Sequence, residues 1–332
     1  MNILNQIGNT PLLKLRKVTQ GLDAEVFVKC EFLNPGGSIK DRMALGMINA
    51  AEEDGKLIPG GTIVDQSTGN TGPALAFVGA VKGYKVQLFL PAQLASSYNP
   101  ADRIRIARLF GCTVTPIDLK EHIDNTDKLD AVEKAASFVA VRMAQCHKLQ
   151  EKDSTVWWAN QLCNPENTKA HRGGTGVEIL EQMDGRVDAW VASIGTGGTL
   201  LGVAEFLKRE IPDLTVAGVV PTDDPRLEWV RIRAVHQALE RFEVPNQRFL
   251  IEDILEKNLL DHEFVVKNED AKNMADRLCQ EEGLFCGMSS GANVYAAIKL
   301  AKKMDKNSRI VTVLVDRRDR YFAEYPHEHY VV

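Results

Sequence analysis

Apolar and polar positions along the chain switch repeatedly between a period of two and a period near 3.6, and the switches fall at glycine-rich turns. The run "EVFVKCEF", Glu25 to Phe32, is rich in β-formers and predicts a strand. After the turn in "NPGGSIKDRM", the stretch Ile39 to Leu57 repeats its apolar residues at helical spacing and predicts a helix. Next, Thr62 to Gln66 reads as a buried strand and Ser67 to Gly72 as a tight loop. Pro73 to Lys82 then reads as a helix with proline in its first position, and Lys85 to Leu90 as a further strand. A second unit of the same kind follows: a strand ending at Ile194, a glycine loop Gly195 to Gly198, a helix from about Thr199 and a strand Thr215 to Val220. Alternating β and α elements predict an α/β fold of open, mostly parallel sheets flanked by helices.

Length and charge narrow the picture. A chain of 332 residues is long enough for two domains. With 44% hydrophobic residues, 26% charged residues and a net charge of −5, it has no basic surplus to neutralise phosphate backbones or anionic lipid. Nucleic acid and membrane partners are therefore not expected. No stretch approaches the ~20 apolar residues that span a bilayer, and the start lacks a cationic leader pattern, so a cytoplasmic location is expected. The six cysteines are scattered without a CxxC pair, which suits reduced thiols; His327 and His329 near the end are too few ligands for a metal site, and none is expected. The charged stretch Lys120 to Asp153 predicts a solvated helical face. Arg226 to Phe242 predicts an amphipathic helix packed on its own domain or on a partner subunit.

Two glycine loops sit where a strand hands over to a helix, and there unpaired backbone N–H groups and the helix dipole favour an anion. "GTGGT", Gly195 to Thr199, adds the hydroxyls of Thr196 and Thr199, enough to wrap a phosphate monoester. It departs from GxGxxG because Leu200 stands where the third glycine is needed, which counts against a dinucleotide. The plainer alternative is that small residues merely permit a sharp turn. Lys40 likewise has two readings, a solvated first-turn cation or a reactive amine.

Taken in order, "NPGGSIKDR", "STGNTG", "GTGGT" and "CGMSSGAN" resemble the cysteine synthase and cystathionine β-synthase family, pyridoxal 5′-phosphate (PLP) enzymes of fold type II, over nearly the whole chain. The resemblance implies a tryptophan synthase β-like architecture of two α/β domains with PLP in the cleft between them. Residues 1–35 and 151–332 would form a large phosphate-binding domain and 36–150 a small mobile substrate-binding domain. It implies that Lys40 forms the Schiff base and then takes the Cα proton. It further implies that Gly195, Thr196, Gly197, Gly198 and Thr199 hold the cofactor phosphate, that Asn70 donates to the ring hydroxyl, and that Ser289 faces the pyridine nitrogen. Ser67, Thr68, Gly69, Thr71 and Gln161 would bind the substrate carboxylate. A neutral hydroxyl at Ser289 makes the ring a weaker electron sink than an aspartate would. That favours β-replacement through an aminoacrylate on serine, O-acetylserine or cysteine, with sulfide or a thiol as nucleophile or leaving group, in a homodimer.

The likeness departs in places. "IEDILEKN" puts Asp253 and Leu255 where the family has small glycines; Asp253 either caps or pairs at the surface, or orients the second substrate or activates a water so that cysteine becomes serine with release of sulfide. "SSYNPADRIRIARLFGC" from Ser96 and the charged loop "PTDDP" from Pro221 also differ. A cystathionine β-synthase of the large, haem-regulated type is disfavoured, since neither a haem segment nor a regulatory domain is evident. A rival of another class is a non-catalytic scaffold that binds a protein through the Arg226 to Phe242 helix.

Overall fold

The computed structural model describes residues 2–92, 102–123, 126–220, 226–245 and 247–323. Ser96 to Ala101, the loop Pro221 to Pro225, His327 and His329 lie outside the described residues. The strands are β1 (Leu12–Lys14), β2 (Glu25–Cys30), β3 (Thr62–Asp65), β4 (Lys85–Pro91), β5 (Thr113–Ile117), β6 (Val156–Trp158), β7 (Ala189–Ser193), β8 (Thr215–Val220), β9 (His262–Val265) and β10 (Arg309–Leu314). By internal contacts the chain divides into a first unit, Met1–Gly46, Pro165–Pro225 and Leu250–Arg318, and a second, Met47–Asn164, Arg226–Phe249 and Asp319–Val332. The first cut falls 11 residues later than 35, because the first half of the helix Lys40–Glu53 belongs to the first unit, and the second falls 14 residues later than 150.

The first unit is built on a six-stranded sheet in the order β1-β2-β10-β7-β8-β9, with β1 antiparallel to β2 and every other pairing parallel. Parallel strands are covered on both faces, which is why β2, β7 and β10 read as nearly continuous apolar runs. Val26, Val28, Val191, Ile310 and Ala296 belong to one core cluster. The helices Asn268–Glu282 and Met288–Ala301 cross at Gly291, where a Cβ would stand 2.0 Å from the Ala271 carbonyl oxygen and 2.7 Å from the Ala275 nitrogen. Neither neighbour is a movable side-chain tip. Gly291→Ala is therefore expected to destabilise the protein by about 1–3 kcal/mol, read as a lower urea midpoint.

The second unit holds an all-parallel sheet in the order β5-β4-β3-β6. The helix between β3 and β4 runs Thr71–Lys82 and begins two residues before Pro73. Proline is tolerated there because first-turn N–H groups have no intrahelical acceptor. The helix Ala131–Lys152 starts with a capping box, Asp130 with Glu133, and corrects the expectation of a solvated face. Ala136, Ala140, Val141, Met143, Ala144 and Cys146 are buried along one side of it. The helix Arg226–Arg241 packs along this one and buries Val235, Ala238 and Leu239. Sequence order places it with 151–332, but by its contacts Arg226–Phe249 belongs to the second unit.

All six cysteines are free thiols; Cys30, Cys112, Cys146 and Cys286 are buried, while Cys163 and Cys279 are partly exposed. Burial pushes the Cys30, Cys112 and Cys286 thiols up to about 12, and Cys146 well above its ordinary value. Among the described residues, no helix is long and apolar enough to cross a membrane, and no group of three or more His, Cys, Asp or Glu is placed to hold a metal ion.

Candidate active site

In the first unit, the turn ahead of Lys40 is tied down from several sides. The Gly36 N–H donates to Asp41 Oδ2 at 2.5 Å, the Ile39 N–H to the Val315 carbonyl at 2.9 Å, and the Lys40 N–H to Ser38 Oγ at 3.2 Å. A Cβ at Gly36 would lie 2.5 Å from the Asp41 carboxylate and would force it to move. Lys40 opens the helix Lys40–Glu53 half-buried, and desolvation pushes its amine down to about 8. Two residues on, Arg42 is gripped by Glu31 (2.7 and 2.8 Å) and Glu178 (2.6 and 2.7 Å), and Glu178 also pairs with the fully buried Lys29 at 2.6 Å. The two cations hold the Glu178 carboxyl down at about 2, although burial opposes them.

The loop Gly195–Thr199 closes β7 and opens the helix Gly198–Glu210 in the same unit. Gly197 adopts φ +88°, a left-handed conformation that only glycine takes without strain, and a Cβ at Gly198 would collide with the Asn167 side chain at 2.3 Å. Thr196 Oγ1 accepts from Asn167 Nδ2 at 3.1 Å and from the Gly198 N–H at 3.3 Å. Thr199 Oγ1 meets His171 Nε2 at 3.2 Å, and His171 Nδ1 meets Thr175 Oγ1 at 3.0 Å. His171 is fully buried on a π-helical turn, His171–Thr175; desolvation first, then the charges of Lys40 and Arg42, push it well below 6.5. A neutral imidazole donates through one nitrogen only, so it orients the hydroxyls on either side of it. The local reading missed Asn167 and His171, for which a helix broken by "HRGGTG" is the available signal.

In the second unit, the loop after β3 is organised from below by Asp65. Its carboxylate accepts from the Gln66 N–H at 2.8 Å and the Gln161 N–H at 3.4 Å. Gln161 in turn donates to the Gln66 carbonyl at 3.2 Å and accepts from the Thr71 hydroxyl. Thr71 and Gln161 are thus joined directly, while the Ser67 hydroxyl accepts from the Gly69 N–H at 3.3 Å; Ser67 is buried, whereas Thr68 and Gly69 are exposed. Asn70 is half-buried, and its Oδ1 accepts from Arg320 Nη1 at 2.9 Å. Burial pushes the Asp65 carboxyl up to about 7, while its hydrogen bonds and the charge of Arg142 pull the other way. The folded chain holds this proton above pH 3.8, where an unfolded aspartate has lost it. Its stabilisation is complete below that value and is lost as pH rises through about 7. The span is worth roughly 4 kcal/mol. Asp65→Asn is expected to gain thermal stability relative to the parent chain as melts move from pH 5 to pH 8.

Ser289 and Asp253 lie in the first unit. Ser289 is partly accessible in the first turn of the helix Met288–Ala301, while its neighbour Ser290 is buried and accepts from the Val315 N–H at 2.8 Å. Asp253 is half-buried in the short helix Leu250–Glu256, whose Ile251 nitrogen would lie 3.1 Å from a Cβ on Gly197. Leu255, one residue past the buried Ile254, is 46% exposed.

Residues 3–316 match the family model described as "Pyridoxal-phosphate dependent enzyme". The chain belongs to that family. A cysteine synthase from Staphylococcus aureus is 36% identical over 97% of this chain and 95% of its own. A cystathionine β-synthase from Dictyostelium discoideum is 33% identical over the whole of this chain and 62% of its own. Among solved structures, a hydrogen sulfide-producing enzyme from Fusobacterium nucleatum superposes with a TM-score of 0.78 at 28% identity, over 97% of this chain and 99% of that one. Within the pyridoxal-phosphate dependent enzymes the chain is of the cysteine synthase and cystathionine β-synthase group, with β-replacement on an amino acid as its reaction class. The residues present fit the cofactor. A Cβ on Gly195 would meet nothing within 4 Å, so the loop is open there; a helix N-terminus faces the loop; and the Lys40 amine is partly deprotonated near neutrality.

Proposed function

We propose that this chain works in the cytosol as a homodimer, with O-acetylserine or a related activated serine, serine or cysteine as donor and sulfide or a small thiol as the second partner. The observation that carries the reading is the placement of Lys40: a half-buried amine brought down to about 8, on a turn held by Gly36, Ser38 and Asp41, in the unit that also carries the GTGGT loop. Pyridoxal phosphate, when bound, supplies an electron sink that lets a proton leave Cα and a group leave Cβ. Lys40 holds the cofactor and moves that proton. Thr196, Thr199 and the backbone of Gly195, Gly197 and Gly198 hold the phosphate, with Asn167 and His171 orienting the two hydroxyls. Ser289 meets the ring nitrogen as a neutral partner, and Asn70 meets the ring hydroxyl. Ser67, Thr68, Gly69, Thr71 and Gln161 take the substrate carboxylate.

A second reading has water as the nucleophile, so that cysteine is converted to serine with release of sulfide. It is supported by Asp253, an acid on the helix that backs the phosphate loop, and by the likeness to a hydrogen sulfide-producing enzyme. A donor and acceptor screen with mass detection, run on the parent chain and on Asp253→Gly, separates the two. Cysteine formation from O-acetylserine and sulfide in both proteins supports the first. Serine and sulfide formed from cysteine, and lost in the variant, supports the second. Light scattering of the purified protein tests the dimer.

A further inference from the structure

We propose that Arg320 is a positioning residue that sets the Asn70 side-chain amide the right way round, with its oxygen held on the guanidinium and its nitrogen presented to the cofactor-ring hydroxyl. The inference rests on the reading of Asn70 given under the proposed function and extends it to a residue 250 positions away in sequence.

A guanidinium has five N–H donors and no acceptor, so the Asn70 atom 2.9 Å from Arg320 Nη1 is the oxygen. The amide nitrogen is then the other prong. Left to itself, an asparagine amide turns through a broad two-fold torsion, and one of its two faces would offer an acceptor where a donor is needed. Asn70 stands at the cap position of the helix Thr71–Lys82. Its backbone is helical there, φ −70° and ψ −15°, and no side-chain cap bond is made. The oxygen goes to Arg320.

Arg320 is itself held in place. It is 3% exposed, and the residues around it are fastened to the helix Asp102–Leu109: Arg103 lies over the Tyr321 ring at 4.5 Å, and the Ala323 N–H donates to Asp102 Oδ2 at 2.6 Å. That helix packs against Thr71–Lys82, so the arginine and the asparagine ride on one frame within the second unit. A positive charge on the amide oxygen also polarises the N–H bonds of the same amide and makes them stronger donors.

The test is a double-mutant cycle on the holoenzyme, read by the visible absorption band, its pH titration and the dissociation constant for pyridoxal phosphate, with thermal melts confirming the fold. Asn70→Ala, Arg320→Met and the double variant are compared with the parent. The expected result is that Arg320→Met moves the band in the same direction as Asn70→Ala, weakens cofactor binding roughly five- to tenfold, and adds nothing in the Asn70→Ala background. A shift in Asn70→Ala with none in Arg320→Met, or strictly additive shifts, overturns the role of Arg320 and leaves that of Asn70 standing. No shift in Asn70→Ala overturns both. A crystal structure of the unaltered holoenzyme gives a second measurement that needs no variant to fold. Asn70 with one prong on Arg320 and the other on the ring hydroxyl supports the proposal, and any other pairing overturns it.

Discussion

Lys40→Ala is expected to lower turnover by at least about 10³-fold, because it removes both the amine that holds the cofactor and the base that moves the Cα proton. Lys29, in the same unit, is no substitute, being fully buried against Glu178, Thr10 and Gln182. The loss should be one of chemistry and not of folding. The turn that carries Lys40 is fixed by backbone groups of Gly36, Ile39 and Lys40 itself and by the side chains of Ser38 and Asp41, none of which the substitution touches. Melting temperature should therefore stay close to that of the parent. Reduction of the parent holoenzyme with borohydride followed by peptide mapping should place the pyridoxyl tag on Lys40. A tag on any other lysine would refute the assignment. Because the amine sits at about 8, capture of pyridoxal phosphate by the apoenzyme should quicken as pH rises from 7 to 9.

Glu178→Ala is expected to cost about 3–5 kcal/mol, the largest stability effect among the substitutions considered. The carboxylate sits between two buried cations and also accepts from the Asn9 N–H at 3.0 Å. Without it, Arg42 keeps Glu31, but Lys29 is left with the neutral oxygens of Thr10 (2.6 Å) and Gln182 (2.9 Å). The signature in urea is a lower midpoint with an unchanged slope. The pH dependence has a definite sign. The folded carboxyl lies at about 2, below its ordinary 4.5, so its contribution is present above that value and is lost as pH falls toward 2. The variant should accordingly lose less stability than the parent between pH 5 and pH 3. Equal losses would remove Glu178 from the account.

Strands and glycine loops were legible because their signals are local. Apolar, β-prone runs ending at Asp65, Ser193 and Val220 need no knowledge of the rest of the chain, and "GTGGT" carries its own backbone geometry at Gly197 and Gly198. The boundaries shifted by a residue or two where tertiary pairing decided them: β3 ends at Asp65 because that side chain turns to the Gln66 and Gln161 N–H groups. Partners far apart in sequence were not legible. Nothing near Asn70 points to Arg320, and nothing near Thr199 points to His171. The charged composition of Ala131–Lys152 masked a small-residue face of alanines that lets another helix come close, so its buried side was read as solvated. Arg142 on that helix is nearly buried, its guanidinium bonded to the Phe138 carbonyl at 2.7 Å and its charge felt by Asp65.

The thiols bear on handling by the proposed chemistry. A protein that turns over sulfide works amid persulfides and oxidants that attack thiolates, and a cysteine held near 12 is almost wholly protonated at neutral pH. Cys30, Cys112, Cys146 and Cys286 are in this way insulated from the sulfur species of the proposed reaction. Alkylating or biotinylating probes should mark Cys163 and Cys279 first, which makes those two the natural anchor points for a reporter dye.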